Sequence, residues 1–345
     1  MSKNPRGLTP VGDVIGSNLP KQLKLSSGPT PVQKRIIEAA AFDDADSRSL
    51  LYQHSTFCQV FFPYRDPGAD VTIWDRSNGI VDLRLKSGEA KHPDGRWVQV
   101  PLPFGPKCRL VLMHINQLAI LKQTPHIEVE DSLTAFVRRI LKLDPKGRNI
   151  EMVKEQLRRL ATSSIRLGAT MPERGSSPTR KVEIVTEFDV WFAKDERQRV
   201  LWPSYIDLSL EYFKGLQEHA VPLNESHIAA LTHSAMALDI YAWLAQRLHR
   251  IPVERPAFVS WAALHGQFGQ GYTGPRGVRT FRGVFKVALK QVLALYKAAR
   301  ITEDERRRPQ LLIQGTQSVW REPQAKGLTL HHSPPPIPRR FISIR

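Results

Sequence analysis

Residues 278–299 predict a long amphipathic helix, and this is the strongest structural signal in the chain. At about 100° per residue, the apolar side chains collect on one side, and the cations fall within about 80° on roughly the opposite side. The apolar set is Phe281, Val284, Phe285, Ala288, Val292 and Leu295. The cationic set is Arg279, Arg282, Lys286, Lys290 and Lys297, with Leu293 among them. The apolar side must pack against a core, so the cations are expected to face outward.

The same helix contains no acidic residue. Surface helices usually mix charges, because opposite charges three or four residues apart stabilise a helix and like charges destabilise it. A polyanion lying along the cations would turn their repulsion into attraction. The alternative interpretation is an ordinary solvated surface helix.

The charge of the whole chain agrees with a polyanionic partner. Its 345 residues include 50 Lys and Arg against 33 Asp and Glu, which gives a formal net charge of +17. Cationic surfaces bind nucleic acid because each phosphate contact releases condensed counterions. Nucleic acid is therefore the leading candidate partner.

The elements around the long helix predict a helix-turn-helix unit with a wing. Residues 227–248 and 259–268 predict helices, and the Gly-rich residues 269–277 predict the turn that precedes the long helix. The β-strands predicted after it are 300–302, 310–313 and 328–332. A helix that follows a helix and a turn is the usual recognition helix of such DNA-binding units.

Two residues in the first turn of this helix, Arg279 and Thr280, are expected to read bases, and Lys290 and Lys297 are expected to contact phosphates. The full set of DNA contacts predicted in this unit is Arg276, Arg279, Thr280, Arg282, Lys286, Lys290, Arg306, Arg307 and Arg308. The last three end the predicted wing loop at 303–308 and could reach the DNA backbone or the minor groove. Charged hairpin tips are also common without any ligand, so the wing has that alternative.

An earlier part of the chain predicts a similar order of elements. The helices predicted there are 106–122, 131–143 and 149–163, and a short strand is predicted at 127–130. Strands at 164–170 and 181–191 enclose a loop rich in Gly, Pro, Ser and charge. This order predicts a first winged helix.

A small antiparallel sheet is predicted before it, within residues 50–100. Asn78-Gly79 predicts a hairpin between strands 71–76 and 80–86, because both residues accept positive φ. A second turn, at Asp94-Gly95, separates the strands predicted at 86–89 and 97–100. An extended run is predicted at 56–64.

The helix at 149–163 is a weaker candidate for DNA contact. Its core face is Ile150, Val153, Leu157 and Leu160. The DNA contacts predicted in this region are Arg148, Lys154, Arg158, Arg159 and Arg166, all to the DNA backbone. Glu151 and Glu155 share the surface of the helix and would repel phosphates, so contact with another protein is the alternative.

Together these patterns predict an α+β chain with tandem winged-helix domains, the first of which carries an N-terminal antiparallel sheet extension. The predicted divisions are a flexible N-terminal arm at 1–46 with a short helix at 32–42, a first winged-helix domain at 47–220, a second, DNA-recognising domain at 221–333, and a Pro-rich basic tail at 334–345.

Several kinds of protein are disfavoured. Cys58 and Cys108 are too few for a disulfide framework or a thiolate metal cluster, and we expect them to be buried thiols. No apolar run approaches the roughly 18 residues of a membrane span, and no apolar signal segment opens the chain, so a soluble cytoplasmic protein is expected. Phosphate-loop, zinc-protease and nucleophile-elbow motifs do not occur, so we expect no metal, no cofactor and no catalysis. A relaxase or a primase is the alternative class.

Five short segments occur in the same order in one known family. They are Cys58–Arg65, Asp75–Gly79, Pro101–Leu110, Gln156–Leu160 and Leu328–Ile337. In these segments the chain resembles the plasmid-encoded RepA replication initiators of Gram-negative plasmids. Relatives more often carry alanine at the position of Cys108, and the stretch 303–324 is longer than the wing of the family.

The resemblance implies a fold of paired winged helices and an origin-binding role. Proteins of this kind bind repeated sites, called iterons, in double-stranded plasmid origin DNA. They help to open an adjacent AT-rich region and recruit host replication proteins, including the host initiator and the helicase. They also exchange between monomers and homodimers. The alternative function is a winged-helix transcriptional repressor without initiation activity.

Overall fold

The computed structural model describes residues 28–41, 49–92, 94–128, 135, 137–139, 148–169, 179–188, 205–304, 311–314, 317–320 and 326–336. These residues form helices and small antiparallel sheets, so the predicted α+β class is confirmed. The tandem winged-helix arrangement and the domain divisions stay predictions.

The helices are numbered in chain order over the described residues. They are α1 (Pro31–Ala41), α2 (Gly105–Lys122), α3 (Arg148–Thr162), α4 (Leu210–His219), α5 (Glu225–Leu231), α6 (Ala235–Arg247), α7 (Trp261–Phe268) and α8 (Gly277–Leu295). Short 3-10 helices occur at Ser55–Cys58 and Leu248–Arg250.

The strands pair only in antiparallel fashion. They are β1 (Leu50–His54), β2 (Ile73–Ser77), β3 (Val81–Lys86), β4 (Gly88–Lys91), β5 (Trp97–Val100), β6 (His126–Glu128), β7 (Ser164–Ala169), β8 (Thr179–Val182), β9 (Val185–Phe188), β10 (Tyr205–Leu208), β11 (Ala220–Asn224), β12 (Ala257–Ser260), β13 (Ile301–Asp304), β14 (Leu311–Gln314), β15 (Gln317–Trp320) and β16 (Gly327–Leu330). The sheets are β2-β3-β7-β8, β6-β10-β9, β12-β16-β13 and the pairs β1-β11, β4-β5 and β14-β15.

The hairpin at Asn78-Gly79 is confirmed. Gly79 has a φ of 88°, and the Asn78 side chain accepts hydrogen bonds from the backbone N–H groups of Ile80 and Val81 at 2.9 and 2.7 Å. The hairpin of β2 and β3 does not stand alone, however. β3 also pairs with β7, from Val81↔Ala169 to Lys86↔Ser164, so the predicted N-terminal sheet continues into strands that follow α3.

Four predicted elements differ from the structure. The strand predicted at 181–191 is wrong, because the described residues there form two strands, β8 and β9, in different sheets. The run at 56–64 was predicted as extended and this is wrong, because Ser55–Cys58 forms a 3-10 helix that the His54 side chain caps. The helix predicted at 227–248 is two helices, since Ser234 accepts a hydrogen bond from the N–H of Ala237 and begins a new one. The helix predicted at 259–268 starts only at Trp261, because Ser260 caps it and Ala257–Ser260 pairs with β16.

One hydrophobic core runs through the described residues, from Ile36 on α1 to Leu330 on β16. At its centre α2 and α6 are joined by a buried ion pair. Arg109 Nε and Nη2 donate to the two carboxylate oxygens of Asp239 at 2.6 and 2.8 Å. The rest of the Arg109 guanidinium donates to the carbonyls of Phe62, Pro63 and Gly105.

α1 packs against α5 and α8. Ile36 is buried there, and Arg35 Nη1 donates to Thr232 Oγ1 at 3.4 Å. The helix predicted at 32–42 is thus confirmed. It lies against the part of the chain that contains the predicted recognition helix.

Both cysteines are buried free thiols, as predicted, and burial raises the pKa of Cys108 to about 12. Among the described residues, none of the helices combines the length and the apolar character that a bilayer crossing requires. In the same part of the chain, His, Cys, Asp and Glu side chains form no cluster of three or more that could hold a metal ion.

Candidate nucleic-acid interface

An aromatic cluster fixes the position of α8. Phe281 and Phe285 are fully buried, and Phe285 lies 5.8 Å from Trp261 and 5.2 Å from Phe268, measured between ring centroids. The helix starts at Gly277, where a Cβ would lie 2.3 Å from the carbonyl oxygen of Tyr272, so no larger residue fits without a shift. The buried side of the predicted amphipathic helix is therefore confirmed, with one exception at Val284.

The outer face of α8 contains several of the predicted DNA contacts. Arg276, Arg279, Thr280 and Lys290 are exposed. Around the helix axis, Arg279, Arg276 and Lys290 lie within about 60° of one another. Among the described residues, no ion pair involves these three cations, so their charges face solvent.

Arg282 and Lys286 have a different environment from the other cations of the helix. Arg282 Nη2 donates to Glu303 Oε1 at 2.8 Å, and Lys286 Nζ lies 2.7 Å from the same oxygen. Both cations also lie over the ring of Trp261, at 4.9 and 5.8 Å from its centroid. The helix itself lacks acidic residues, as its sequence indicates, but β13 supplies one. The single cationic stripe predicted from the sequence is therefore divided.

Two further residues of the helix predicted at 278–299 have environments that the sequence did not predict. Lys297 was expected on the phosphate-binding stripe, but α8 ends at Leu295 and Lys297 Nζ donates to the carbonyl of Ala40 at 2.7 Å. Val284 was expected on the buried side and is 40% exposed. It lies at the edge of the apolar arc, beyond the reach of the aromatic cluster.

The predicted wing is described only in part. β13 and β16 pair from Ile301↔Leu330 to Asp304↔Gly327, and β12 completes that sheet. Strands at 300–302, 310–313 and 328–332 are confirmed with small shifts, whereas β15 was not predicted. Arg306, Arg307 and Arg308 lie outside the described residues.

The cations of α3 lie close to the acidic residues of the same helix. Arg158 Nη2 and Arg159 Nε lie 2.8 and 2.7 Å from the carboxylate oxygens of Glu155, and Lys154 Nζ lies 3.5 Å from Glu151. The predicted core face of Ile150, Val153, Leu157 and Leu160 is buried, which confirms it.

Two predicted contacts in this region remain on the surface. Arg148, at the start of α3, and Arg166, on β7, are exposed. Arg148 also borders an open cleft of about 350 Å³ between α3 and the start of α2, which Phe104, Lys107 and Arg159 line as well. In this region the structure therefore leaves mainly Arg148 and Arg166 outward-facing among the predicted contacts.

Sequence reasoning missed Trp261 and Glu303, the two residues that contact the side chains of Arg282 and Lys286. Trp261 had a usable signal, because a large aromatic residue just after the cap residue Ser260 fits the buried side of α7. Glu303 had none, since it lies 21 positions from Arg282 and no spacing rule joins a strand to the middle of a preceding helix.

The amino-acid sequence from Leu102 to Ala263 matches the family model described as "Plasmid encoded RepA protein". Over this segment the chain is similar to the plasmid-encoded RepA family. The RepA segment includes α2 and α3 and ends within α7, before α8 begins. The resemblance stated from the sequence is confirmed over these residues, and it supports a role in plasmid replication.

Two solved structures align with most of the chain. A crystal structure of selenomethionine derivatives of domains 2 and 3 of RctB shares 7% sequence identity, with 81% of this chain and 98% of that chain covered and a TM-score of 0.48. A second crystal structure of RctB domains 2–3 shares 8% identity, with 78% and 95% covered and a TM-score of 0.45. No curated protein sequence matches the chain significantly.

Proposed function

We propose that this chain is a plasmid replication initiator that binds iterons in double-stranded origin DNA. In this proposal two winged helices contact one iteron, α8 enters the major groove, and binding promotes origin opening and the recruitment of host replication proteins. The chain then acts by binding in the cytoplasm, as a monomer or a homodimer, and catalyses no reaction.

The observation that carries the proposal is the exposed face of α8. It presents Arg276, Arg279 and Lys290 to solvent, while the opposite face is anchored in aromatic side chains. A helix held in this way can enter a groove about 12 Å wide without losing its support, because its cationic side is the side that the core does not use.

The order of elements supports a winged helix at this end of the chain. α6, β12, α7, α8 and β13 follow one another, β16 comes after the pair β14-β15, and β12, β13 and β16 form one sheet. In a unit of this order, α8 is the recognition helix and the chain between β13 and β16 forms the wing. Arg306, Arg307 and Arg308 of the predicted wing loop would then be expected to contact the backbone or the minor groove.

The earlier part of the chain supports a secondary role. The order α2, β6, α3 and the following strands favours the first winged helix that the sequence predicts. In this unit Arg148 and Arg166 contact the DNA backbone. The ion pairs of Lys154, Arg158 and Arg159 with Glu151 and Glu155 lower the charge available to phosphates there. We therefore expect the larger share of sequence reading from α8.

Arg279→Ala and Lys290→Ala test the assignment of α8. Arg279→Ala is expected to cost about 1–3 kcal/mol on the specific duplex and to relax specificity at one base pair. Lys290→Ala should weaken binding to all duplexes alike and reduce the slope of log K against log salt by about 0.9. Fluorescence anisotropy between low and physiological salt measures both effects.

Lys214→Ala is the matched control, because Lys214 is an exposed cation on α4, in another part of the chain. The assignment of α8 is wrong if both α8 variants bind with the affinity and salt slope of Lys214→Ala.

Initiation is tested separately from binding. A plasmid with only the origin, supplied with the full chain in trans, should replicate, and the Arg279→Ala variant should fail to support it. Tight binding by the wild-type chain without any replication would favour the repressor instead.

A further inference from the structure

The outer face of α8 has two chemically different halves. Arg279 and Lys290 lie on one half. Val284 and Val287, which are 40% and 60% exposed, lie on the other together with the exposed Thr280. Scattered exposed apolar residues are ordinary, but here the three β-branched side chains follow one another at positions four and three apart along about 10 Å of helix. They form a continuous strip beside the cations.

Gly283 lies between the two halves and has no structural reason to be glycine. A Cβ built there meets no atom within 4 Å, and its φ is not among the positive values of the chain. Glycine inside a helix is less favourable than alanine by about 1 kcal/mol. The free protein gains nothing from Gly283, whereas a surface that must approach the helix backbone closely would require it.

We propose that Thr280, Val284 and Val287 contact the 5-methyl groups of thymines on the floor of the major groove, and that Gly283 allows α8 to lie deep enough for this. The inference rests on the proposed function and adds to it the base feature that is read. Thymine is the base that presents a methyl group in the major groove, and side-chain methyl groups are its natural partners.

The charge of the helix favours DNA over another protein as the occupant of this strip. Arg279 and Lys290 lie directly beside the valines, and α8 contains no carboxylate that would repel phosphates. On one half of the face Lys290 can contact a phosphate strand, while Arg279 and the methyl groups of the other half reach base edges. An apolar protein partner would leave the two cations beside a buried interface without compensation.

The first experiment removes only the methyl groups. Duplexes that bind the full-length chain are selected from a random pool, and the best one is resynthesised with uracil in place of thymine at one position at a time. At the contacted thymines, uracil should weaken binding by the wild-type chain about fourfold, the value expected for one buried methyl group. Val287→Ala and Val284→Ala should lose that sensitivity at one thymine each.

Val278→Ala is the matched control, because Val278 is also half exposed but lies about 180° from Val287 around the helix. This variant should keep the full response to uracil. If uracil has no effect at any position, or the same effect on wild-type and Val287→Ala proteins, the inference is wrong. Failure to enrich any sequence from the pool would instead overturn the proposed function itself.

A second variant separates function from folding. Gly283→Ala should raise the melting temperature of the free chain by about 2 °C, because alanine is a better helix former than glycine. It should also weaken binding to the selected duplex at least tenfold, about the loss expected when one base contact is no longer made. A stabilised protein with unchanged affinity would contradict the close approach. Concentration-dependent self-association that Val287→Ala abolishes, with methyl sensitivity unchanged, would assign the strip to a second copy of the chain and overturn the inference.

Discussion

At the scale of single residues, Glu303 changes what the cationic helix offers to DNA. Its carboxylate contacts both Arg282 and Lys286, which also lie over Trp261. A single carboxylate on β13 therefore offsets one of the two positive charges that Arg282 and Lys286 place beside the outer face. Since phosphate contacts raise affinity for every sequence equally, such a neighbour lowers affinity for all duplexes and leaves sequence discrimination to the base contacts.

We expect Glu303→Gln to bind unrelated duplexes more tightly, because loss of the carboxylate adds one net positive charge beside the outer face. The slope of log K against log salt should steepen by up to about 0.9, which corresponds to one added phosphate contact. Titration of a random-sequence duplex at several salt concentrations measures this. Glu254→Gln removes one exposed carboxylate elsewhere and is the control. Equal or weaker binding than the control would show that Glu303 acts only by holding β13 against α8.

The residues that sequence could predict are those whose environment is set by near neighbours. Phe281 and Phe285 are buried as their spacing predicts, and Asn78-Gly79 forms the hairpin that its backbone preferences favour. Val284 was misassigned, because periodicity gives a direction around the helix but not the width of the surface that covers it. Glu303 was missed, because its partners lie on a separate element.

At the scale of elements, α1 packs against α8 and supports its position. It packs against α5 and α8, and the carbonyl of Ala40 receives the Lys297 side chain just beyond the end of α8. The position of α8 therefore depends on a segment near the start of the chain, which composition alone had placed within a flexible arm. An element that must present side chains to a rigid groove gains from support on more than one side.

Two adjacent isoleucines of α1 provide a matched pair for testing that support. Ile36 is 8% exposed and Ile37 is 59% exposed. Ile36→Ala should lower the free energy of unfolding by about 2–4 kcal/mol, because it leaves a cavity between helices, whereas Ile37→Ala should change it by less than about 0.5 kcal/mol. Urea unfolding followed by circular dichroism compares them. Similar values for the two variants would mean that α1 contributes little to the core.

At the scale of the whole molecule, the described parts share one core rather than two separate ones. Arg109 on α2 and Asp239 on α6 connect regions that the sequence had assigned to different domains, and both side chains are almost fully buried. Burial raises the pKa of the Asp239 carboxyl, while the nearby Arg109 guanidinium opposes that rise. Sequence patterns could not predict this pair, because 130 positions separate its members.

Removing one charge of this pair should be strongly destabilising. Asp239→Asn leaves the Arg109 guanidinium buried without a counter-ion, so the free energy of unfolding should fall by about 3–5 kcal/mol. Asp75→Asn is the control, because Asp75 and Arg84 form an exposed pair that contributes at most about 1 kcal/mol. Chemical denaturation of both variants at neutral pH gives the comparison. Equal losses would show that the buried pair does not join the two regions energetically.

The pairing of β1 with β11 has a consequence for how the protein is made. Leu50 lies opposite Asn224, so β1 has no strand partner until the ribosome has released residues 220–224. Contacts so distant in sequence form late and slow the folding of the nascent chain, because a large loop must close before they stabilise anything. During synthesis, the apolar residues Leu51 and Tyr52 therefore stay in an unpaired strand until β11 has been made. Binding by a chaperone would help this protein most during that interval.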